Sequence, residues 1–162
     1  MDSFKGRLLL FIGLGILAVL AIYELAGGDL GAIVGGVSQT LIQEFAQAIA
    51  SAEGFGVANA IPTRANNPGD LTDVGQNFTG DTGQRIGANI IVFDTVQDGW
   101  NALYSQVRLI LGGSDSLWPS TLTLAQAGLQ YSGCDPNWAT NVANDLDIDP
   151  SITLGEIAGG QS

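Results

Sequence analysis

A carboxyl group set among apolar side chains keeps its proton to a higher pH than one in water, because burial disfavours the charged form. Such a group can protonate a leaving oxygen near neutral pH. Glu53 has the position for this chemistry. On a helix predicted over about 39–53 it lies about 20° from Ile42 and about 40° from Ile49, whereas Glu44 falls about 180° away. Glu44 is therefore the solvated acid, and Glu53 points toward the core. Gly54-Phe55-Gly56 follows at once, which ends the helix and leaves space beside the carboxyl. The competing reading is an acid at a frayed helix end that bends out to water.

Composition removes several other chemistries. The chain of 162 residues has no His, so neither a Ser-His-Asp triad nor a His-containing metal site can form. Cys134 is the single cysteine, which excludes an intrachain disulfide. No metal and no cofactor is expected. The formal net charge is −11, and beyond residue 40 the basic side chains are Arg64, Arg85 and Arg108. With no basic surface to neutralise phosphates, nucleic acid is not an expected partner.

The elements that must carry Glu53 follow from periodicity. Leu41, Ile42, Phe45 and Ile49 give the first helix its core spacing. Residues 54–92 hold seven glycines with many Asn and Asp, the composition of loops and hairpins, and Asn89–Phe93 is their clearest strand. A second helix is capped by Thr95 with Asp98 three residues on, buries Trp100, Leu103, Val107 and Ile110, and ends at Gly112-Gly113. A third runs from about Leu122 to Tyr131. A fourth starts with Asp135 as cap and Pro136 at its first position, then buries Trp138, Val142 and Leu146. Asp149-Pro150 opens a last short helix to about Ile157.

The N-terminus has a different character. Residues 8–26 are apolar with only Glu24 charged, and at about 1.5 Å per residue they reach roughly 28 Å, near the hydrocarbon thickness of a bilayer. Lys5 and Arg7 precede them, so the positive-inside bias places residues 1–7 in the cytoplasm and the rest across the membrane, or in a virion membrane. A cleaved signal peptide is the alternative, but cleavage after Ala26 would put Glu24 at the −3 position instead of a small residue. The expected layout is a tail over 1–7, a transmembrane anchor over 8–26, a Gly-rich linker over 27–38 and a domain over 39–158.

Two stretches carry a family likeness. Ala48-Ile49-Ala50-Ser51-Ala52-Glu53-Gly54-Phe55, then Arg64-Ala65-Asn66-Asn67-Pro68-Gly69-Asp70-Leu71, resemble phage-encoded and bacterial lytic transglycosylase-like domains. Val92-Phe93-Asp94-Thr95 with Gly99-Trp100, Thr121-Leu122, Tyr131 and Trp138 extend the resemblance over about 41–157. It implies a mainly α, α+β lysozyme-like fold behind the single transmembrane helix. It also implies cleavage of the β-1,4 bond between N-acetylmuramic acid and N-acetylglucosamine in peptidoglycan. Glu53 would first protonate the glycosidic oxygen, then take the proton of the muramic 6-hydroxyl as a 1,6-anhydro ring closes.

Asn66, Asn67, Gly69 and Tyr131 match positions that would contact the sugar or the acid. Pro68 biases Asn67 toward an extended backbone and Gly69 permits a tight turn, so Asn67 could orient the Glu53 carboxyl or a sugar amide. A plain turn, and a core tyrosine at 131, are the bland alternatives. Gly54 stands where soluble transglycosylases have Ser. A hydrolase would need an Asp on the β region, and spacing does not choose among Asp70, Asp73 and Asp81. The expected partners are peptidoglycan glycan strands, a lipid bilayer through 8–26, and proteins of a virion or envelope complex. A non-catalytic structural or glycan-binding protein is the alternative function.

Overall fold

A computed structural model describes residues 37–113, 116–133 and 135–160. The segments assigned above to the tail, to the anchor over 8–26 and to linker residues 27–36 lie outside the described residues. The end of that expected linker is not a linker. Val37 is buried in the main core, and Ser38 caps the first helix, its hydroxyl accepting from the Leu41 N–H at 3.1 Å.

Helix α1 spans Gln39–Ala52 and buries Ile42, Phe45 and Ile49 of the stripe its periodicity predicted, with Leu41 half-buried and Ala46 added to the core. A four-residue helix α2, Ile61–Arg64, follows; it has Pro62 near its start and was not anticipated. Strands β1 (Asp81–Ile86) and β2 (Ile90–Phe93) form an antiparallel hairpin with Arg85 opposite Ile91 and Ile86 opposite Ile90. Helix α3, Val96–Gly112, stops at Gly113, whose φ of 63° forms a left-handed cap. Then come α4 (Leu124–Tyr131), α5 (Trp138–Leu146) and α6 (Leu154–Ala158). Helix α1 packs on α3 and α5, α4 on α5, and α6 on α3, around one core that includes Phe45, Leu103, Leu124 and Trp138. A smaller cluster of Leu71, Ile91, Phe93 and Ala102 lies under the hairpin.

Two expected helix starts move downstream for one reason. The Asp135 and Asp149 carboxylates accept from the Asn137 and Ser151 N–H groups at 2.9 and 2.7 Å, two residues on. Each aspartate closes a turn before the helix instead of capping it. Thr153 caps α6 in place of Asp149, in a reciprocal box with Glu156.

The expected fold class is corrected. The described residues form a mixed helical unit with a small two-stranded antiparallel sheet in place of the lysozyme-like domain expected over 39–158, and the anchor expected over 8–26 lies outside them. Among them no helix is long and apolar enough to cross a membrane. The longest, α3, has 17 residues and carries Gln97, Asp98, Asn101, Ser105 and Arg108, so one of its faces is polar. The order helix, acid, hairpin, helices restricts which elements exist; it does not fix how they cross, and a fold is defined by the crossings.

Candidate active site

Glu53 is the last residue of the α1 turn, with φ −77° and ψ −7°, and its N–H still bonds to the Ile49 carbonyl at 2.9 Å. The helix is therefore not frayed at this point, and the acid does not swing free into water. Its side chain is half-buried and its Oε1 accepts from the Trp138 indole Nε1–H at 2.7 Å. Burial raises the carboxyl to about 7; the indole bond opposes this, and the charges of Asp70 and Asp135 add to it. The result is an acid near half-protonation at neutral pH, the range in which one carboxyl can both give and take a proton.

Trp138 begins α5 and is held flat by its neighbours. Tyr131, the last residue of α4, stacks on it with ring centroids 4.9 Å apart and planes 27° apart. Gly128, one turn earlier on α4, makes room: a Cβ there would lie 2.9 Å from Trp138 Cε3 and 2.8 Å from Ala139 Cβ. The sequence pattern marked Trp138 only as part of a buried helical stripe. No periodicity could single out its indole N–H, because that role depends on α5 crossing the end of α1.

The Tyr131 hydroxyl donates to the Gly69 carbonyl at 2.7 Å. Burial, with the Glu53 and Asp70 charges nearby, pushes this phenol well above its usual range, so it stays protonated. Gly69 itself is required by close approach, since a Cβ would lie 2.9 Å from that hydroxyl and 2.6 Å from Leu103 Cδ1. The chain of contacts Glu53, Trp138, Tyr131, Gly69 thus joins α1, α5, α4 and the Asn-Asn-Pro-Gly turn.

The two asparagines expected at the sugar do something else. Asn67 is fully buried; its Nδ2 donates to the Leu71 and Ile91 carbonyls at 3.0 and 2.9 Å, and its Oδ1 accepts from the Leu71 N–H at 2.9 Å. It has no exposed surface to offer a ligand and does not bond to Glu53. Asn66, with φ 54°, donates from Nδ2 to the Phe93 carbonyl at 3.0 Å. Together they fasten the turn to β2, whose Ile91 and Phe93 N–H groups bond to the Leu71 and Ala65 carbonyls at 3.0 and 2.9 Å. The asparagines occupy hydrogen-bonding groups that an edge strand would otherwise leave open. Both asparagines act as structural ties of the turn. Gly69 likewise contributes its carbonyl to Tyr131.

The three aspartates separate clearly. Asp73 and Asp81 both grip Arg85, each at 2.7 Å, and hydrogen bonds with that guanidinium and with the Gly75 and Gly83 backbone hold both carboxyls below the usual range. These two brace the hairpin. Asp70, with φ 49°, has its carboxyl raised by burial, and among the described residues no group donates to its Oδ1. Among the described residues no three His, Cys, Asp or Glu side chains converge as ligands for a metal ion.

No protein-family model matches this sequence, and no curated protein or solved structure matches it. The chemistry of the site therefore rests on its own residues.

Proposed function

We propose that this protein cleaves a glycan by acid–base catalysis through Glu53, with peptidoglycan as the substrate and a lytic transglycosylase reaction as the outcome. The observation that carries the reading is the half-buried Glu53 carboxyl, raised to about 7 and oriented by the Trp138 indole. Protonated, it donates to the glycosidic oxygen between N-acetylmuramic acid and N-acetylglucosamine as the C1–O bond breaks. Ionised, it accepts the proton of the muramic 6-hydroxyl as that oxygen bonds to C1. The proton count closes over the cycle, and an internal nucleophile removes the need for an activated water. The peptidoglycan assignment is supported by the resemblance of 48–55 and 64–71 to transglycosylase-like segments. That support is for the substrate class, and the geometry of Glu53 is for the mechanism.

The test is digestion of purified peptidoglycan by the full chain and by its Glu53→Gln form, with mass analysis of the soluble products. Anhydro-muropeptides, one water lighter than reducing muropeptides and missing with Glu53→Gln, are expected. Reducing products would convert the assignment to hydrolysis, and no products from folded protein would overturn it.

A further inference from the structure

The outer face of α1 opens onto a groove of about 670 Å³, which Glu53 does not line. Glu44, Gln47, Ala48 and Ser51 recur at helical spacing and form one wall. Asp145 and Asp147, at the end of α5, contribute another part of the lining, and Phe55 and Trp100 supply aromatic surface. Trp100 is half-buried and stacks on Tyr104 with ring centroids 5.8 Å apart, and Phe55 meets it edge-on at 5.7 Å. The aromatic wall is therefore braced by its neighbours.

The charges on this groove run against the local rules of the helix that carries them. Asp145 stands in the last turn of α5, which has no basic residue, and Asp147 caps it. That end of a helix is the negative end of its dipole, so both acids oppose their own helix. Asp147 also holds φ 55°, a left-handed cap position that glycine takes with less strain. Departures of this kind concentrate at functional positions. Glu44, Asp145 and Asp147 are exposed and have no basic partner: among the described residues the ion pairs are both those of Arg85, and Arg108 bonds to Gln39. One metal ion does not answer them, since no three acidic side chains converge as ligands among the described residues. The complement is a chain that carries its positive charges several bonds apart.

We propose that this groove docks a partner protein through an exposed segment rich in lysine or arginine, whose charges pair with Glu44, Asp145 and Asp147. The methylene stems of such residues lie on the Trp100 and Phe55 rings, and their cationic heads reach the carboxylates beyond. Long basic side chains can reach acids that are too far apart to share an ion. The charge complementarity steers the encounter and selects basic segments over acidic ones. The interaction stands apart from glycan cleavage at Glu53 and does not depend on it.

The probe is a labelled octapeptide of alternating lysine and alanine, titrated onto the full chain, with its glutamate–alanine counterpart as a blank. Wild type is expected to bind the lysine peptide alone, with a shift of the Trp100 indole N–H signal in NMR spectra. Asp145→Asn with Asp147→Asn is expected to weaken binding by about tenfold. Asparagine keeps the size and tolerates the left-handed φ, and this pair is expected to raise Tm slightly, because two acids leave the end of α5. Asp94→Asn with Glu156→Gln removes the same charge from exposed positions outside the groove and is expected to change Kd by less than about twofold. Equal weakening by the two pairs would reduce the effect to the net charge of the chain and overturn the groove. No binding at about 1 mM peptide would overturn it as well. A glucosamine oligomer that binds more tightly than the peptide, and is weakened by the same Asp145 and Asp147 pair, would overturn the protein partner in favour of an amino sugar. None of these outcomes bears on Glu53, whose test is the formation of products.

Discussion

The Trp138 indole N–H and the Glu53 carboxylate meet at 2.7 Å across 85 residues of sequence. The bond ties the end of α1 to the start of α5, and it acts on the acid in the direction opposite to burial. Burial keeps the proton on; the indole favours the ion. Glu53 sits at about 7 because the first effect is the larger and the second limits it.

Trp138→Phe keeps most of the aromatic surface against Tyr131 and deletes the donor. With the opposing bond gone, the Glu53 carboxyl is expected to rise above about 7, and the alkaline limb of the cleavage profile moves up with it. Loss of a hydrogen bond to a charged group costs about 1.5–3 kcal/mol, felt mainly above pH 7 where Glu53 is ionised. Carboxyl titration by NMR in both proteins checks the sign; a downward shift would contradict the assigned role of the indole.

Glu53→Gln separates function from stability. The folded carboxyl holds its proton to about 7, above its ordinary value of 4.5. The native state therefore binds more protons than the unfolded chain between those values, and stability is lost as pH rises through that window. After discount for partial exposure the loss is on the order of 2 kcal/mol at pH 8. Glutamine never ionises, so the variant is expected to melt higher than wild type at pH 8 and about equally at pH 4. Its cleavage rate is expected to fall by a factor of about 10² to 10⁴. Melting curves at the two pH values decide this, and equal destabilisation at both would refute the burial account.

Much of this arrangement is legible in the sequence, and the division has a physical cause. The faces of α1 and α3, the Thr95 cap and the Gly113 stop follow from local rules of period and capping, and they appear where those rules put them. Glu53 on the apolar side of α1 belongs to the same class. Asn66 and Asn67 did not, because an Asn-Asn-Pro-Gly turn looks the same whether its amides meet a sugar or the carbonyls of a strand. The choice among Asp70, Asp73 and Asp81 depended on where Arg85 lands, a matter of hairpin register. Trp138 needed the crossing of two helices.

Asn67→Ala tests the structural role of the turn. It removes a fully buried amide, strands the Leu71 N–H and takes a donor from the Ile91 carbonyl, while the Leu71 carbonyl keeps its bond from the Ile91 N–H. Unsatisfied buried groups cost about 1–3 kcal/mol each, and the backbone will recover part of that, so a loss of roughly 3 kcal/mol is expected. Urea denaturation measures it. A stable Asn67→Ala protein with weakened glycan binding would return Asn67 to the substrate side.

Gly128→Ala asks whether Trp138 must be placed by its neighbours for Glu53 to work. Alanine is the better helix former by about 1 kcal/mol, so on propensity alone the change should stabilise α4. Against that, the new methyl would lie 2.9 Å from Trp138 Cε3 and 2.8 Å from Ala139 Cβ, inside a packed contact between α4 and α5. Overpacking of this kind costs about 1–3 kcal/mol, so a net destabilisation is expected. The indole cannot yield without moving its N–H away from Glu53, so the carboxyl is expected to titrate higher, as in Trp138→Phe. Combining the two substitutions should then add little to the titration shift of either one, because both act through the same bond. Additive shifts would show that Gly128 affects the acid by another route.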